Sequence, residues 1–432
     1  MARADTIFAL STASGRSGVA IIRVSGPDAG RALERLSGEA KPAVRLAALR
    51  RFRDASGEID RGLVLWFEGP ASFTGEDSAE FHVHGGRAIV EAMLSALAAI
   101  PGLRPAEPGE FTRRAVENGK LDLTRAEALA DLIDAETEGQ RRQALRQYEG
   151  VLYELYEVWR TRLIAAVAWA EAAIDFADEE IPEDVFGESR TAIGEIAKEI
   201  QAHLDDRHRG ELVRDGLNLT VIGNPNVGKS SLVNALARRD VAIVSEVAGT
   251  TRDVIEVRLN LGGYLVTLAD TAGLRETSDA IESEGVRRAL ARAEAADLVI
   301  LLQDGTAAKA AAFEGADLVV WNKADLPWPE PREGLKLSLK TGEGLDALLA
   351  ALTAKVAQKL EAPAEAPPVT RARHRHALEE AAVALLRAGA ATEPELMAED
   401  ARLAMRAIGR ITGKVDVEDL LDVIFRDFCI GK

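Results

Sequence analysis

The octapeptide Gly223-Asn224-Pro225-Asn226-Val227-Gly228-Lys229-Ser230 fits the pattern G-x-x-x-x-G-K-[ST], and its flanks decide what it is. The apolar run Leu217 to Ile222 before it reads as a buried strand, and Ser231-Leu232-Val233-Asn234-Ala235-Leu236 after it opens a helix. Strand, glycine loop and helix in that order restrict this region to a doubly wound α/β domain with a phosphate site at a strand end. Glycines let backbone N–H groups curl around phosphate oxygens. Lys229 adds a point charge, and Ser230 offers a hydroxyl to a magnesium ion.

Four further segments follow in a fixed order. Asp270-Thr271-Ala272-Gly273 comes after the strand-like Tyr264 to Ala269. An aspartate there can hold magnesium through its water, while the Gly273 amide reaches a γ-phosphate. Gly249-Thr250-Thr251-Arg252-Asp253 lies between, where a threonine can complete the magnesium shell only while the γ-phosphate is present, which makes a switch. Asn322-Lys323-Ala324-Asp325 follows the apolar Leu318-Val319-Val320-Trp321, and a carboxylate there accepts from guanine N1–H and the 2-amino group. Ser338-Leu339-Lys340 stands where a loop would back the guanine O6. Four elements in one α/β pattern imply a GTP-binding domain.

Hydrolysis needs a positioned water. The residue after the switch glycine, often glutamine in such domains, is Leu274, which cannot hydrogen-bond water. Glu282 and Glu284 downstream are candidates, although the residue type alone would make Glu282 an exposed helix carboxylate. Asn226 can place a carboxamide oxygen on a monovalent cation and so offset developing charge.

A chain of 432 residues suggests about three domains. With one cysteine, Cys429, no intramolecular disulfide can form, and a reducing compartment is expected. Residues 1–10 lack a charged-then-apolar leader and no apolar run would span a bilayer, so a cytoplasmic protein with no membrane partner is expected. A net charge of −17 argues against broad electrostatic binding of nucleic acid. The basic clusters at 207–209 and 371–376 read as solvated helix ends.

Residues 1–118 read as mixed α and β, with strands at Val19 to Val24 and Gly62 to Phe67 and a helix from Ile89 to Ala99. Helical spacing runs from Thr124 through Ala177, Pro182 interrupts it, and a further helix reaches Val213. Residues 217–355 alternate strand and helix, 361–368 form a Pro/Ala/Glu linker, and helical texture returns from Thr370. This divides the chain into 1–118, 119–215, 216–360 and 361–432, one helical domain interrupted by an inserted α/β domain.

The flanks resemble a family. Asp5-Thr6-Ile7, Ile22-Arg23-Val24-Ser25-Gly26, Phe73-Thr74-Gly75-Glu76-Asp77, His84-Gly85-Gly86, Pro108-Gly109-Glu110-Phe111-Thr112-Arg113-Arg114-Ala115, Asn118-Gly119-Lys120-Leu121-Asp122-Leu123 and Phe428-Cys429-Ile430-Gly431-Lys432 are similar to the MnmE (TrmE) family of tRNA-modification GTPases. The resemblance extends over essentially the full length. It implies an N-terminal α+β folate-binding and dimerisation domain, a discontinuous helical domain and an inserted Ras-like GTPase domain, in a homodimer whose GTPase domains face each other.

By position the resemblance implies that Ser230, Thr251 and, through water, Asp270 hold magnesium, and that Asn226, Ser245, Val247 and Thr250 ligate potassium. It implies nucleotide contacts from Asn226, Val227, Gly228, Lys229, Ser230 and Ser231, from Ser245, Glu246, Val247, Ala248, Gly249, Thr250 and Thr251, and from Asp270, Thr271, Ala272 and Gly273. Asn322, Lys323, Asp325, Ser338, Leu339 and Lys340 complete that set. Glu282 becomes the water-orienting residue, and Arg23, Glu80, Lys120 and Lys432 become the folate site. The resemblance further implies 5-formyl- or methylene-tetrahydrofolate, a flavoprotein partner, MnmG (GidA), in a heterotetramer or larger assembly, and tRNA, whose wobble uridine receives an aminomethyl or carboxymethylaminomethyl group at C5.

Cys429 reads equally as a nucleophile toward a one-carbon adduct and as a small residue ordering a turn. Two departures from the family pattern stand out: Leu339 where alanine is usual, and a short 303–320 connection. Rival readings are a non-catalytic GTP switch in ribosome assembly and a folate one-carbon enzyme that GTP only regulates.

Overall fold

A computed structural model describes residues 5–175, 185–243, 256–269, 293–309, 313–361 and 367–415, with isolated positions 421, 424, 425, 428 and 431. The chain divides into two compact units, Met1–Ala130 with Tyr148–Arg160 and Arg406–Lys432, and Asp131–Gln147 with Thr161–Met405.

The first unit is built on β1 (Thr6–Leu10), β2 (Ser17–Ser25), α1 (Ala29–Ser37), β3 (Ala48–Asp54), β4 (Gly57–Phe67), β5 (Ser78–Gly85), α2 (Arg87–Ala98), β6 (Leu103–Pro105) and α3 (Glu110–Glu117). Its six strands lie in the order β3-β4-β5-β2-β1-β6. Side chains alternate across a strand, so each strand has a core face and an opposite face. Phe8, Ile22, Val24, Phe52, Val64, Phe81 and Val83 bury one face against Leu33 and Leu36 of α1 and Met93 and Leu97 of α2. On the opposite face, Ile7 and Ala9 pack with Ala106 and Phe111. Farther along the sheet Leu49 and Leu63 are cross-strand partners, 69% and 42% exposed.

The chain continues as α4 (Leu123–Asp134), α5 (Glu138–Tyr148), α6 (Val151–Asp175), α7 (Val185–Leu204) and α8 (Arg209–Asp215). The second unit then contains β7 (Leu217–Ile222), α9 (Lys229–Ala237), β8 (Ala242–Ile243), β9 (Glu256–Leu261), β10 (Tyr264–Ala269), β11 (Leu298–Asp304), β12 (Leu318–Asn322), β13 (Leu335–Lys336), α10 (Leu345–Leu360) and α11 (Ala372–Ala390). α12 (Pro394–Thr412) follows.

The seven strands of the second unit lie in the order β13-β12-β11-β7-β10-β9-β8. β13 through β10 run parallel in that list, and β9 and β8 turn antiparallel at one edge. Central parallel strands are covered on both faces, so β11 reads as an almost unbroken apolar run, Leu298-Val299-Ile300-Leu301-Leu302. Leu232 and Leu236 of α9 and Leu348, Leu352 and Val356 of α10 join Leu219, Val221, Val266, Ile300 and Val320 in one core.

Within this unit the β9–β10 hairpin turns at Gly262 and Gly263, both with positive φ, as a two-residue hairpin requires. The Gly139 amide donates to the Gly263 carbonyl at 2.7 Å. Arg258 on β9 pairs with Glu136 at 2.9 Å.

Several expected elements match: β2, β4, α2, β7, β10, β12 and the helices from α4 onward. The further helix to Val213 does not run through. It breaks at 205–208, where Arg207 and His208 adopt φ of 54° and 58°. Asp206 causes the break, since its carboxylate accepts from the His208 and Val369 amides and from Arg375. The 371–376 cluster is accordingly not a solvated helix end: Arg375 pairs with Asp206 and Glu211 at 2.7 and 3.1 Å, and His374 is fully buried. The short connection between β11 and β12 contains no helix among its described residues, and most of the Pro/Ala/Glu linker lies outside them.

Candidate functional sites

The phosphate loop leaves the carboxyl end of β7, whose two neighbours are β11 and β10; ligands of open α/β sheets bind where such connections diverge. Gly223 has φ of 153°, and a Cβ there would lie 2.1 Å from the Leu302 carbonyl. Gly228 has φ of 106°, and a Cβ there would lie 2.6 Å from Asn322 Nδ2. Both positions need glycine because the backbone approaches its neighbours closely. Asn226, exposed at the crest, takes φ of 61°. Val227 is buried beneath it.

Lys229 opens α9, and its ammonium donates to the Gly223 and Asn224 carbonyls at 2.9 Å each. Ser230 and Ser231 follow in the first helical turn, both exposed. A helix N-terminus with free amides favours an anion. Ser230 therefore stands where a hydroxyl can reach a metal carried by that anion, and the donor chemistry fits magnesium.

The base-side loops join the phosphate loop directly. Asn322, at the end of β12 and 5% exposed, donates from Nδ2 to the Val227 carbonyl at 2.8 Å and accepts from the Leu339 amide at 3.1 Å. Leu339 thus contributes through its backbone, and its side chain approaches Gly228. Asp325 accepts from the Ser338 hydroxyl at 2.8 Å, with the Lys340 ammonium 4.0 Å away. Lys323, at φ of 67°, reaches back to Asp304 at 2.5 Å. Burial alone would raise the Asp304 pKa, but bonds from Lys323 and Thr306 hold the carboxyl below its ordinary range. Asp304 was not anticipated from sequence; an aspartate closing an apolar strand beside a lysine loop is its only signal.

The described residues bring together the phosphate loop, 322–325 and 338–340. Ser245, Glu246, Val247, Ala248, Gly249, Thr250, Thr251, Asp270, Thr271, Ala272, Gly273, Leu274, Glu282 and Glu284 lie outside the described residues, as do Cys429 and Lys432.

The first unit holds a second polar group. Arg23 on β2 and Glu80 on β5 are cross-strand partners, and Arg23 Nε and Nη2 both donate to Glu80 Oε1, at 3.1 and 2.9 Å. The guanidinium lies over the Phe73 and Phe111 rings, 5.4 and 5.8 Å from their centroids. Lys120 is exposed and donates to the Pro70 carbonyl at 2.9 Å. Gly431, which precedes Lys432, accepts from the Ser11 hydroxyl at 2.9 Å, and a Cβ on it would lie 2.1 Å from the Leu10 carbonyl. Because Leu10 pairs with Ile22, the tail reaches the sheet one strand from Arg23. A cavity of about 730 Å³ beside α3 is lined by Glu76, Arg104, Glu110, Arg114 and Phe425 among others, and Arg114 pairs with Asp5 as well as with Glu76 and Glu110.

Among the described residues no helix is long and apolar enough to cross a membrane. A phosphate loop hydrogen-bonded to base-reading loops on one mainly parallel sheet defines a P-loop GTPase. The family model "MnmE helical domain" matches residues 123–429, and "GTP-binding protein TrmE N-terminus" matches residues 6–120. The tRNA modification GTPase MnmE of Parvibaculum lavamentivorans is 59% identical over 99% of this chain and 100% of that protein. Its counterpart in Rhodospirillum rubrum is 57% identical over 99% of each. Among solved structures, the FeoB G domain of Methanococcus jannaschii is 26% identical and covers 32% of this chain and 97% of that one, with a TM-score of 0.24. The chain belongs to the MnmE family of tRNA modification GTPases.

Proposed function

We propose that this chain is a potassium-activated GTPase that acts with the flavoprotein MnmG (GidA). Together they build the aminomethyl or carboxymethylaminomethyl group at C5 of the tRNA wobble uridine, using a tetrahydrofolate one-carbon unit. The observation that carries the GTPase part is the Asn322 bridge, which fixes the phosphate loop against the loop bearing Asp325. Family membership over nearly the whole chain supports the tRNA-modifying role.

In this reading the phosphate-loop amides and Lys229 bind the β- and γ-phosphates, and Asp325 accepts from the guanine edge. Ser230 and Thr251 would hold magnesium directly and Asp270 through water. Asn226, exposed at the loop crest, would join Ser245, Val247 and Thr250 around potassium. A bound cation there supplies positive charge where negative charge develops. Glu282 orients the attacking water in place of Leu274.

Arg23, Glu80, Lys120 and Lys432 would hold the folate. The Arg23–Glu80 pair beside two aromatic rings is chemistry suited to a polar, planar heterocycle. The exposed Leu49–Leu63 pair supports a homodimer through this sheet, since apolar side chains on an open face gain by being covered. The domains are read as 1–118, 119–215, 216–360 and 361–432.

Nucleoside analysis of tRNA from cells lacking the protein tests the whole reading: the modified wobble uridine should disappear, and its persistence would refute the role. GTP turnover compared in potassium and sodium tests the cation. Equal rates in the two salts would sink that part, and Glu282→Ala should bind GTP but hydrolyse it poorly.

A further inference from the structure

The open face of the six-stranded sheet carries a histidine that the roles above leave unused. Glu80 and His82 are two residues apart on β5, so they project from the same face. Arg23 fills Glu80 Oε1 with two bonds. The other oxygen, Oε2, lies 3.5 Å from His82 Nε2. That ring nitrogen is buried and has no hydrogen-bond partner among the described residues. Its cross-strand neighbours, Ile21 on β2 and Leu63 on β4, are apolar and offer none. Buried polar atoms are nearly always paired, so an orphan beside a half-used carboxylate points to a partner that arrives with a ligand.

We propose that Glu80 Oε2 and His82 Nε2 form an acceptor–donor pair that reads the pyrimidine edge of a 2-amino-4-oxopteridine. The inference rests on the folate reading above. That edge presents the N3–H donor next to the O4 acceptor. Glu80 Oε2 accepts from N3–H, and His82, carrying its proton on Nε2, donates to O4. Arg23 occupies Oε1 with both of its bonds and leaves Oε2 for the ligand. A 4-amino pteridine places an amine opposite the imidazole N–H and an unprotonated N3 opposite the carboxylate, so both contacts become mismatched. His82 is thereby a specificity-determining residue for the 4-oxo group.

Calorimetric titration of the full-length chain with 5-formyltetrahydrofolate tests this in three proteins: wild type, His82→Ala and His82→Gln. Loss of one hydrogen bond should weaken binding about tenfold in His82→Ala. His82→Gln, whose side-chain amide keeps a donor, should stay within about threefold of wild type, the cost of imperfect hydrogen-bond geometry. Folic acid should compete better than aminopterin, its 4-amino counterpart, in wild type, and the preference should vanish in His82→Ala. GTP binding by the same samples reports folding. No binding by wild type would refute the folate reading itself. Normal binding by His82→Ala, equal loss in both variants, or equal competition by the two pteridines in wild type would overturn the role of His82 alone.

Discussion

Asn322 Nδ2 donates to the Val227 carbonyl across 2.8 Å, and this single bond makes the base-side and phosphate-side loops one body. Asn322→Ala removes that bond, together with the acceptor for the Leu339 amide, and leaves the buried Val227 carbonyl without a mate. The expected cost is about 2 kcal/mol of stability for the nucleotide-binding region, with weaker GTP and GDP binding. Chemical denaturation and nucleotide titration of the same variant check it. Unchanged affinity would mean that the loops hold their positions separately.

Gly228→Ala adds a methyl 2.6 Å from Asn322 Nδ2 at a backbone φ of 106°. Relief requires moving either the loop or the asparagine, and both form the site. Nucleotide binding should be lost while circular dichroism of the whole chain stays close to wild type.

Asp325→Asn replaces one acceptor oxygen with a donor, which suits a 2-oxo purine and opposes a 2-amino one. GTP affinity should fall roughly 100-fold, the price of two charge-assisted bonds, while affinity for xanthosine triphosphate rises. Competition between the two nucleotides reads the switch directly. A variant that still prefers GTP would place base recognition elsewhere.

Gly139→Ala addresses the contact between α5 and the β9–β10 hairpin. Its new methyl would stand 2.8 Å from the Gly263 carbonyl and 2.9 Å from the Tyr264 ring. Neither backbone can yield cheaply, so a loss of about 1–3 kcal/mol is expected in urea denaturation.

His203 gives the stability a signature in pH. It is 6% exposed, and burial pushes its pKa down to about 4, helped by Arg375 and opposed by Asp206. Above about 6.5, the ordinary histidine value, both folded and unfolded states are neutral there and the site contributes no slope. Between about 6.5 and 4 the unfolded chain binds the proton and the folded one does not, so stability falls as pH falls. Below about 4 the loss levels off, at about 3 kcal/mol. His203→Gln should flatten that window, measured by denaturation midpoints across pH. Glu110, held low by Arg104 and Arg114 against its burial, contributes its loss only under more acidic conditions.

The legible parts of the chain were those whose partners are near in sequence. β7, the glycine loop and α9 are contiguous, and an apolar run ending at glycine has few other solutions. β3 and β5 were harder: Arg50, Arg51, Glu80 and His82 project charge and polarity from strands with one open face, and that masks the alternation. The break at 205–208 was illegible because its cause is remote; Arg375 lies 169 positions from Asp206, and Val369 lies 163. The same holds for the bridge between Val227 and Asn322, 95 positions apart, which no local pattern announces.

Ser11 and the glycine it holds, Gly431, are separated by 420 positions. A ribosome thus makes the first strand of the N-terminal sheet long before it makes the residue that closes against it. During that interval the entire nucleotide-binding unit can emerge and fold while the sheet's far end still waits. A chain cut short anywhere downstream of the GTPase would retain its nucleotide loops yet never finish the surface around Arg23. Translation to the last few codons is, in effect, the quality check on the N-terminal sheet of this molecule.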